Sequence, residues 1–156
     1  MSEPLISICI PAYKKPEFVL RAIQSVLKQS YKNVEIIISD DSPNEDIKIA
    51  IQSYISELNI KYYHNQPALK SPRNWNNAIQ LSTGDYYMLL HQDDWLESEH
   101  CLAIYLAAFK SNPKVSFVFC KKQVKTVASM GMPAMERDLS FCKPEMAIKS
   151  CIFNSV

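Results

Sequence analysis

Tyr86-Tyr87-Met88-Leu89-Leu90-His91-Gln92-Asp93-Asp94-Trp95 decides how the rest of the chain is read. Residues 86–90 form an apolar run with the length of a fully buried strand, and the run leads into two adjacent carboxylates. In a parallel sheet such a strand delivers the residues after it to the carboxyl edge, where open α/β folds hold their ligands. Neighbouring acids repel each other unless a cation lies between them and a partner. The pair therefore points to a hard divalent ion, Mg2+ or Mn2+, serving a phosphate-bearing ligand. The competing reading is a polar turn in which Asp94 caps a helix beginning at Trp95.

On either side of this stretch the same grammar recurs. Leu5 to Ile10 is β-branched and apolar and reads as a first strand ending at Pro11. Pro16 fits the first turn of a helix whose inward face is Val19, Ala22, Ile23, Val26 and Leu27. Val34 to Ser39 is a second strand, closing on Asp40-Asp41-Ser42-Pro43. A helix with Ile47, Ile51, Tyr54, Ile55 and Leu58 on one side leads to a third strand, Ile60 to His64. A helix from about Ser71, with Trp75, Ala78 and Ile79 inward and Gly84 as its cap, precedes the strand at Tyr86. Beyond that strand, Ser98 to Ser111 reads as a helix and Val115 to Cys120 as a fifth strand. Alternating β and α elements predict a mostly parallel sheet with right-handed crossovers, a Rossmann-like three-layer α/β/α sandwich.

After Lys121 the pattern thins: Met130 to Met135 reads as loop, Lys143 to Lys149 as a short helix, and Ile152 to Val156 stops without a cap. The expectation is one domain over 1–156, cut at its C-terminus, with a ligand-binding core in 1–120 and the start of a further region in 121–156.

Composition narrows the chemistry. With 156 residues, 47% of them hydrophobic, the chain can bury a sizeable core. A net charge of +1 gives no reason to expect nucleic acid, and no apolar run is long enough for a membrane span. The N-terminus lacks the basic and apolar regions of a signal peptide, and the five cysteines show no metal-binding spacing, so free thiols in a reducing, cytoplasmic setting are expected. Only two glycines occur, too few for a glycine-rich phosphate loop. If a diphosphate binds, its charge must be met by something else, which points again to the metal.

In the expected topology the first four strands exit at one sheet edge, into Pro11-Ala12-Tyr13, Asp40-Asp41-Ser42, His64-Asn65 and His91-Gln92-Asp93-Asp94. With strand one central and strand four beside it, the first and fourth exits flank the switch point. Tyr13 and Pro11 offer a flat face for a nucleobase, or are core residues at a strand end. Asp40 or Asp41 can accept from a base N–H or ribose hydroxyl, or form an Asx-turn with Ser42-Pro43. Arg73-Asn74 can hold a base or phosphate, or stand in solvent.

These residues, taken in order, resemble the family 2 inverting glycosyltransferases of the GT-A nucleotide-diphospho-sugar transferase fold. The similarity rests on Ser7 to Tyr13, Gln29 to Ser42, Pro72 to Ala78, Thr83 to Tyr86 and Leu90 to Leu96, and spans roughly residues 5 to 120. The resemblance implies that Pro11, Ala12, Tyr13, Asp40 and Asp41 cradle the nucleoside, with Arg73 near the base. It makes the acid pair the counterpart of the family's Asp-x-Asp element, with Asp93 by ribose and metal and Asp94 the direct ligand of Mn2+ or Mg2+. It further implies transfer of a sugar from a nucleotide-diphospho-sugar, UDP being the commonest nucleotide, to a glycan or lipid-linked acceptor hydroxyl during polysaccharide biosynthesis. Such work is done in the cytoplasm or peripherally at the inner membrane face.

Two departures stand out. The family often has an acid where this chain has His91. Its acceptor half and catalytic base also lie further on, whereas only Glu136, Asp138 and Glu145 come later here, in no known pattern. The chain is thus expected to hold mainly the donor-binding half. The alternative is a non-catalytic nucleotide-sugar-binding or assembly fragment that dimerises through an open sheet edge. A nucleotidyltransferase would need a glycine-rich loop after strand one. A phospho-acceptor receiver would need its acid pair there, where this chain has Pro11-Ala12-Tyr13.

Overall fold

The computed structural model describes residues 3–120, 139–140 and 151–154. The elements are β1 (Ile6–Ala12), α1 (Pro16–Leu27), β2 (Val34–Asp40), α2 (Asp46–Glu57), β3 (Ile60–His64), α3 (Arg73–Gln80), β4 (Tyr86–Leu89), α4 (Cys101–Ser111), β5 (Phe117–Cys120), β6 (Leu139–Ser140) and β7 (Cys151–Asn154). They build one sheet in the order β3-β2-β1-β4-β7-β5-β6. The first four strands are mutually parallel, as their apolar runs and intervening helices require.

Steps from β1 to β2 to β3 go one way and the step to β4 goes back. Right-handed crossovers then put α1 and α2 on one face and α3 on the other. Accordingly α1 packs on α2, and α3 packs across β1, β2 and β4. Ile6, Ile8 and Ile10 of β1 lie beside Ile36 and Ile38 of β2 and meet Val19, Ile23, Ile47 and Ile51 from the two helices. Each such side chain, fully buried, contributes about 2 kcal/mol. The opposite sheet face is more polar, with Ser7, Glu35 and Ser39 all buried beneath or beside α3.

Several boundaries differ from the sequence reading. β1 does not stop at Pro11 but runs to Ala12. Cys9 accepts Leu90 N–H from the β4 side, so Pro11 also turns toward β4, where the β1–β4 ladder has already ended, and its missing N–H deprives no partner. The helix read from Ser98 begins at Cys101, and the fifth strand begins at Phe117. β7 lies between β4 and β5, antiparallel to both. Residues 151–154, given no element in the sequence reading, are thus a sheet strand. Gly84 does not cap α3, whose cap is Leu81. A Cβ at Gly84 would come within 2.6 Å of Ser7 Oγ and 2.7 Å of the Leu5 carbonyl, so the glycine is there for close approach. The stretches Met130–Met135 and Lys143–Lys149 lie outside the described residues.

At the amino edge of the strands, Glu35 is buried and fully engaged. Its Oε1 accepts from Ser7 Oγ (2.6 Å), Thr83 N–H (2.6 Å) and Thr83 Oγ1 (3.0 Å), and its Oε2 from Lys61 Nζ (2.7 Å) and Thr83 Oγ1 (3.0 Å). Gly84 N–H donates to the same Ser7 Oγ at 2.8 Å. Burial alone would raise the Glu35 pKa. The Lys61 ammonium, the Ser7 hydroxyl and the two Thr83 donors outweigh it and hold the carboxyl below the ordinary range.

Candidate functional site

At the carboxyl edge, two cavities meet at Tyr13. One, of about 260 Å³, is lined by Pro11, Tyr13, Phe18, Asn74, Trp75 and the turn His91-Gln92-Asp93, with Ser71 at its rim. The other, of about 350 Å³, is lined by Tyr13, Asp41, Ser42, Pro43, Asn65, Gln66 and Ala68. Tyr13 is 51% exposed, which is how one ring can form a wall of both. The first and fourth strand exits do flank the switch point, since β1 pairs with both β2 and β4.

The β2 exit builds the floor of the second cavity. Asp40 is fully buried: its Oδ1 accepts Ser42 N–H at 2.8 Å, the Asx-turn, and its Oδ2 accepts the Tyr62 hydroxyl at 2.6 Å. Burial first, and then the Asp40 carboxylate, push the Tyr62 phenol well above its ordinary range, so it stays a donor. Asp41 lines the cavity, and its carboxylate accepts from Asn65 Nδ2 (2.9 Å), Leu69 N–H (3.0 Å) and Lys70 N–H (2.7 Å), pinning the 65–70 loop. Ser42 Oγ accepts Lys14 N–H at 2.7 Å and ties the β1 exit to the β2 exit. Lys14, Lys15 and Lys70 all adopt left-handed backbone at these turns, a conformation that side-chain residues hold only when their surroundings impose it.

Ala12 is buried, and its carbonyl accepts from Asp41 N–H (2.9 Å) and Asn74 Nδ2 (3.3 Å). Arg73, the first residue of α3, is exposed and lines neither cavity; its neighbour Asn74, buried, takes the place in the wall. Beneath the crevice Asn65, Asn74 and Asn77 join Ser39 and Asp41 in a continuous network. Asparagines at 74 and 77 share a helix face, and that spacing is the sequence signal for this network.

The acid turn is held from α1. Arg21 donates to the Asp93 carbonyl at 3.2 Å, and its guanidinium lies 4.2 Å from the Trp95 ring centre and 5.3 Å from that of Phe18. Ser25 Oγ accepts Leu96 N–H at 3.0 Å. Gln29 donates to the Ser98 carbonyl at 2.7 Å and accepts Leu102 N–H at 3.1 Å. Arg21 and Ser25 on α1, and Gln29 just past its end, recur every four residues beside the apolar stripe and together clasp residues 93–102. No helix begins at Trp95: residues 92–93 are a turn closed by Asp94 N–H donating to the His91 carbonyl at 2.9 Å. Trp75 meets His91 edge-on at 4.7 Å.

Asp93 is exposed and lines the first cavity, while Asp94 is half-buried with its Oδ2 shielded from solvent. Among the described residues no three His, Cys, Asp or Glu side chains gather in a metal cage. Two adjacent carboxylates suit a different case, a Mg2+ or Mn2+ ion that keeps waters and takes its remaining ligands from a bound diphosphate. The donor set fits such an ion. The thiol of Cys9, buried in the sheet, is raised to about 12 by burial and then by Glu35, which leaves it inert near neutral pH.

Comparison with known proteins identifies the family and the fold. The family model described as glycosyl transferase family 2 matches residues 7–145. The GalNAc(5)-diNAcBac-PP-undecaprenol beta-1,3-glucosyltransferase of Campylobacter jejuni is 33% identical over 97 residues, covering 61% of this chain and 31% of that protein. The mannosyltransferase PcManGT of Pyrobaculum calidifontis, solved with GDP-Man and Mn2+, superposes with a TM-score of 0.70 at 16% identity, over 78% of this chain and 36% of that one. Staphylococcus aureus TarS 1-349, solved with UDP-GlcNAc, gives 0.65 at 20% identity, over 83% and 37%. These two likenesses establish a shared GT-A fold. The chain spans about a third of the length of the curated relatives it matches.

Proposed function

The chain belongs to glycosyl transferase family 2, and from that premise we propose that its carboxyl-edge crevice binds a nucleotide-diphospho-sugar, UDP-linked in the first instance, for glycosyl transfer. The observation that carries this reading is the position of Tyr13. Its ring stands between a cavity floored by Asp41 and one closed by Asp93, at the switch point where open α/β sheets bind nucleotides.

In this reading Pro11, Ala12 and Tyr13 form the nucleoside wall, and Asp41 accepts from the base. Asp40 supports that turn from behind through Ser42 and Tyr62, and Arg73 reaches the base from the rim. Asp93 lies by the ribose and diphosphate, and Asp94 holds the Mn2+ or Mg2+ ion. When bound, that ion neutralises charge on the departing diphosphate. The acceptor hydroxyl oxygen forms the new bond to the anomeric carbon as the bond to the diphosphate breaks, with inversion. No residue of this chain is assigned as the base that takes the hydroxyl proton.

Residues 1–120 serve as the donor-binding core, and 121–156 begin the acceptor side. Supporting a lipid-linked acceptor is the undecaprenol-linked substrate in the name of the Campylobacter relative. No helix among the described residues is long and apolar enough to cross a membrane, so a peripheral place at the inner membrane face is proposed for that acceptor chemistry. Among the described residues β3 is an edge strand and offers a pairing surface for a second copy, and light scattering across concentration reads dimer against monomer.

The test is calorimetric titration of UDP and GDP, with and without Mn2+, on wild type and Asp94→Ala. Metal-enhanced binding of one nucleotide, lost in the variant, is expected. A folded protein that binds neither would overturn the donor-site reading. Metal-dependent sugar transfer by this chain would instead overturn its confinement to donor binding.

A further inference from the structure

The β1–β4 ladder ends at Cys9 and Leu89, with Leu90 N–H still donating to the Cys9 carbonyl. Odd-numbered residues of β1 turn their backbone groups toward β4. Pro11 has no N–H to offer on that side, and the next residue to face it is Tyr13. There a side chain takes over from the strand. Gln92 Oε1 accepts Tyr13 N–H at 2.8 Å, and Gln92 Nε2 donates to the Tyr13 carbonyl at 3.1 Å. The carboxamide thus copies a residue of a pairing strand, with donor and acceptor both used on the same partner. It also lines the first cavity between His91 and Asp93.

We propose that Gln92 is a positioning residue that staples Tyr13 to the acid turn, so that the nucleobase wall and the acid pair hold a fixed separation. This deepens, and rests on, the donor-site reading. Only a primary amide meets the requirement at neutral pH. A carboxylate there accepts from Tyr13 N–H but sets a lone pair against its carbonyl, whereas a protonated carboxyl again both donates and accepts. Removing the amide therefore releases the Tyr13 backbone from the acid turn, which the exchange of the Tyr13 amide itself reports.

Two measurements test the staple. The first needs no ligand: hydrogen exchange of the Tyr13 amide in wild type and Gln92→Leu, with the Ile36 and Ile38 amides as fold controls. Protection of Tyr13 in wild type, lost in Gln92→Leu while the controls stay protected, is expected. An unprotected Tyr13 amide in wild type would overturn the proposal whatever nucleotides do.

The second is titration of UDP and GDP with Mn2+ on wild type and Gln92→Leu at one pH. The nucleotide that wild type binds should bind Gln92→Leu about tenfold more weakly, the scale of one hydrogen bond. Equal affinities of the two proteins would overturn the proposal. A protected Tyr13 in a protein that binds neither nucleotide would support the staple and count against the donor site alone.

Discussion

Glu35 and the pair Asp93–Asp94 stand at opposite edges of one sheet and show two fates of an acid in the same fold. Glu35 is buried among five hydrogen-bonding contacts from Ser7, Lys61 and Thr83, which leave nothing for a ligand to do. Asp93, by contrast, faces a cavity and solvent, on a turn whose backbone rather than its carboxylate is what Arg21 and His91 secure. At the first edge the protein completes the charge and gains rigidity. At the second it fixes the frame through the backbone of Asp93, whose carboxylate stands at the wall of a cavity. The contrast separates a structural acid from a candidate binding acid on geometry alone.

The strongest challenge to this contrast is to remove each acid and ask which property falls. Glu35→Ala leaves buried donors on Ser7 and Thr83 without an acceptor, and should cost about 3 kcal/mol in urea unfolding. Nucleotide affinity of the folded fraction should stay the same. Asp94→Ala should do the reverse, weakening Mn2+-dependent UDP binding about a hundredfold while costing less stability in urea than Glu35→Ala. If both variants lose stability and neither loses binding, the two edges are not different in kind.

Gly84→Ala probes the first edge alone, because its methyl group would meet backbone atoms of Leu5 and Ser7 that cannot swing away. A loss of about 2 kcal/mol is expected in the same assay. Acid titration gives a further test. Glu35 is held below its ordinary pKa, so its contribution is complete above the unfolded-state value, about 4.3, and drains away as pH falls through the folded one. Wild-type stability should fall in that window, and Glu35→Gln should flatten the fall. The smallest effect is expected of Arg21→Lys, which keeps the charge but loses the flat stack on Trp95, costing about 0.5 kcal/mol and altering tryptophan fluorescence.

How much of this is legible in the sequence depends on the range of each interaction. The four parallel strands and their exits are readable, because apolar runs such as Ile6–Ile10 and Ile36–Ile38 declare their own burial. Gly84 sits a few residues past a helix end and looks like its cap; its true reason is the approach of Ser7, 77 residues away in sequence. Glu35 looks like a polar break in an apolar strand because its partners come from β1, β3 and the loop before β4. The polar stripe of α1 is easily passed over, since the apolar stripe alone accounts for the helix. In the site, Tyr13 and the acid pair announce themselves by type and place. Gln92 and Asn74 do not, since amides are as common on plain surfaces as in networks. β7 escapes notice because a four-residue strand paired with two distant ones carries no local mark.

That last strand bears on the order in which the sheet can be assembled. Beside β4 sits a segment more than sixty residues further along the chain, and β5, made earlier, reaches its station only on the far side of that segment. During synthesis the β3-β2-β1-β4 half can close as soon as residue 89 is free, while the other half must wait for residue 151. Folding should therefore proceed in two stages, a fast local one and a slow one set by long-range closure. In the interval the side of β4 that β7 will cover stands bare, next to the turn that carries the acids.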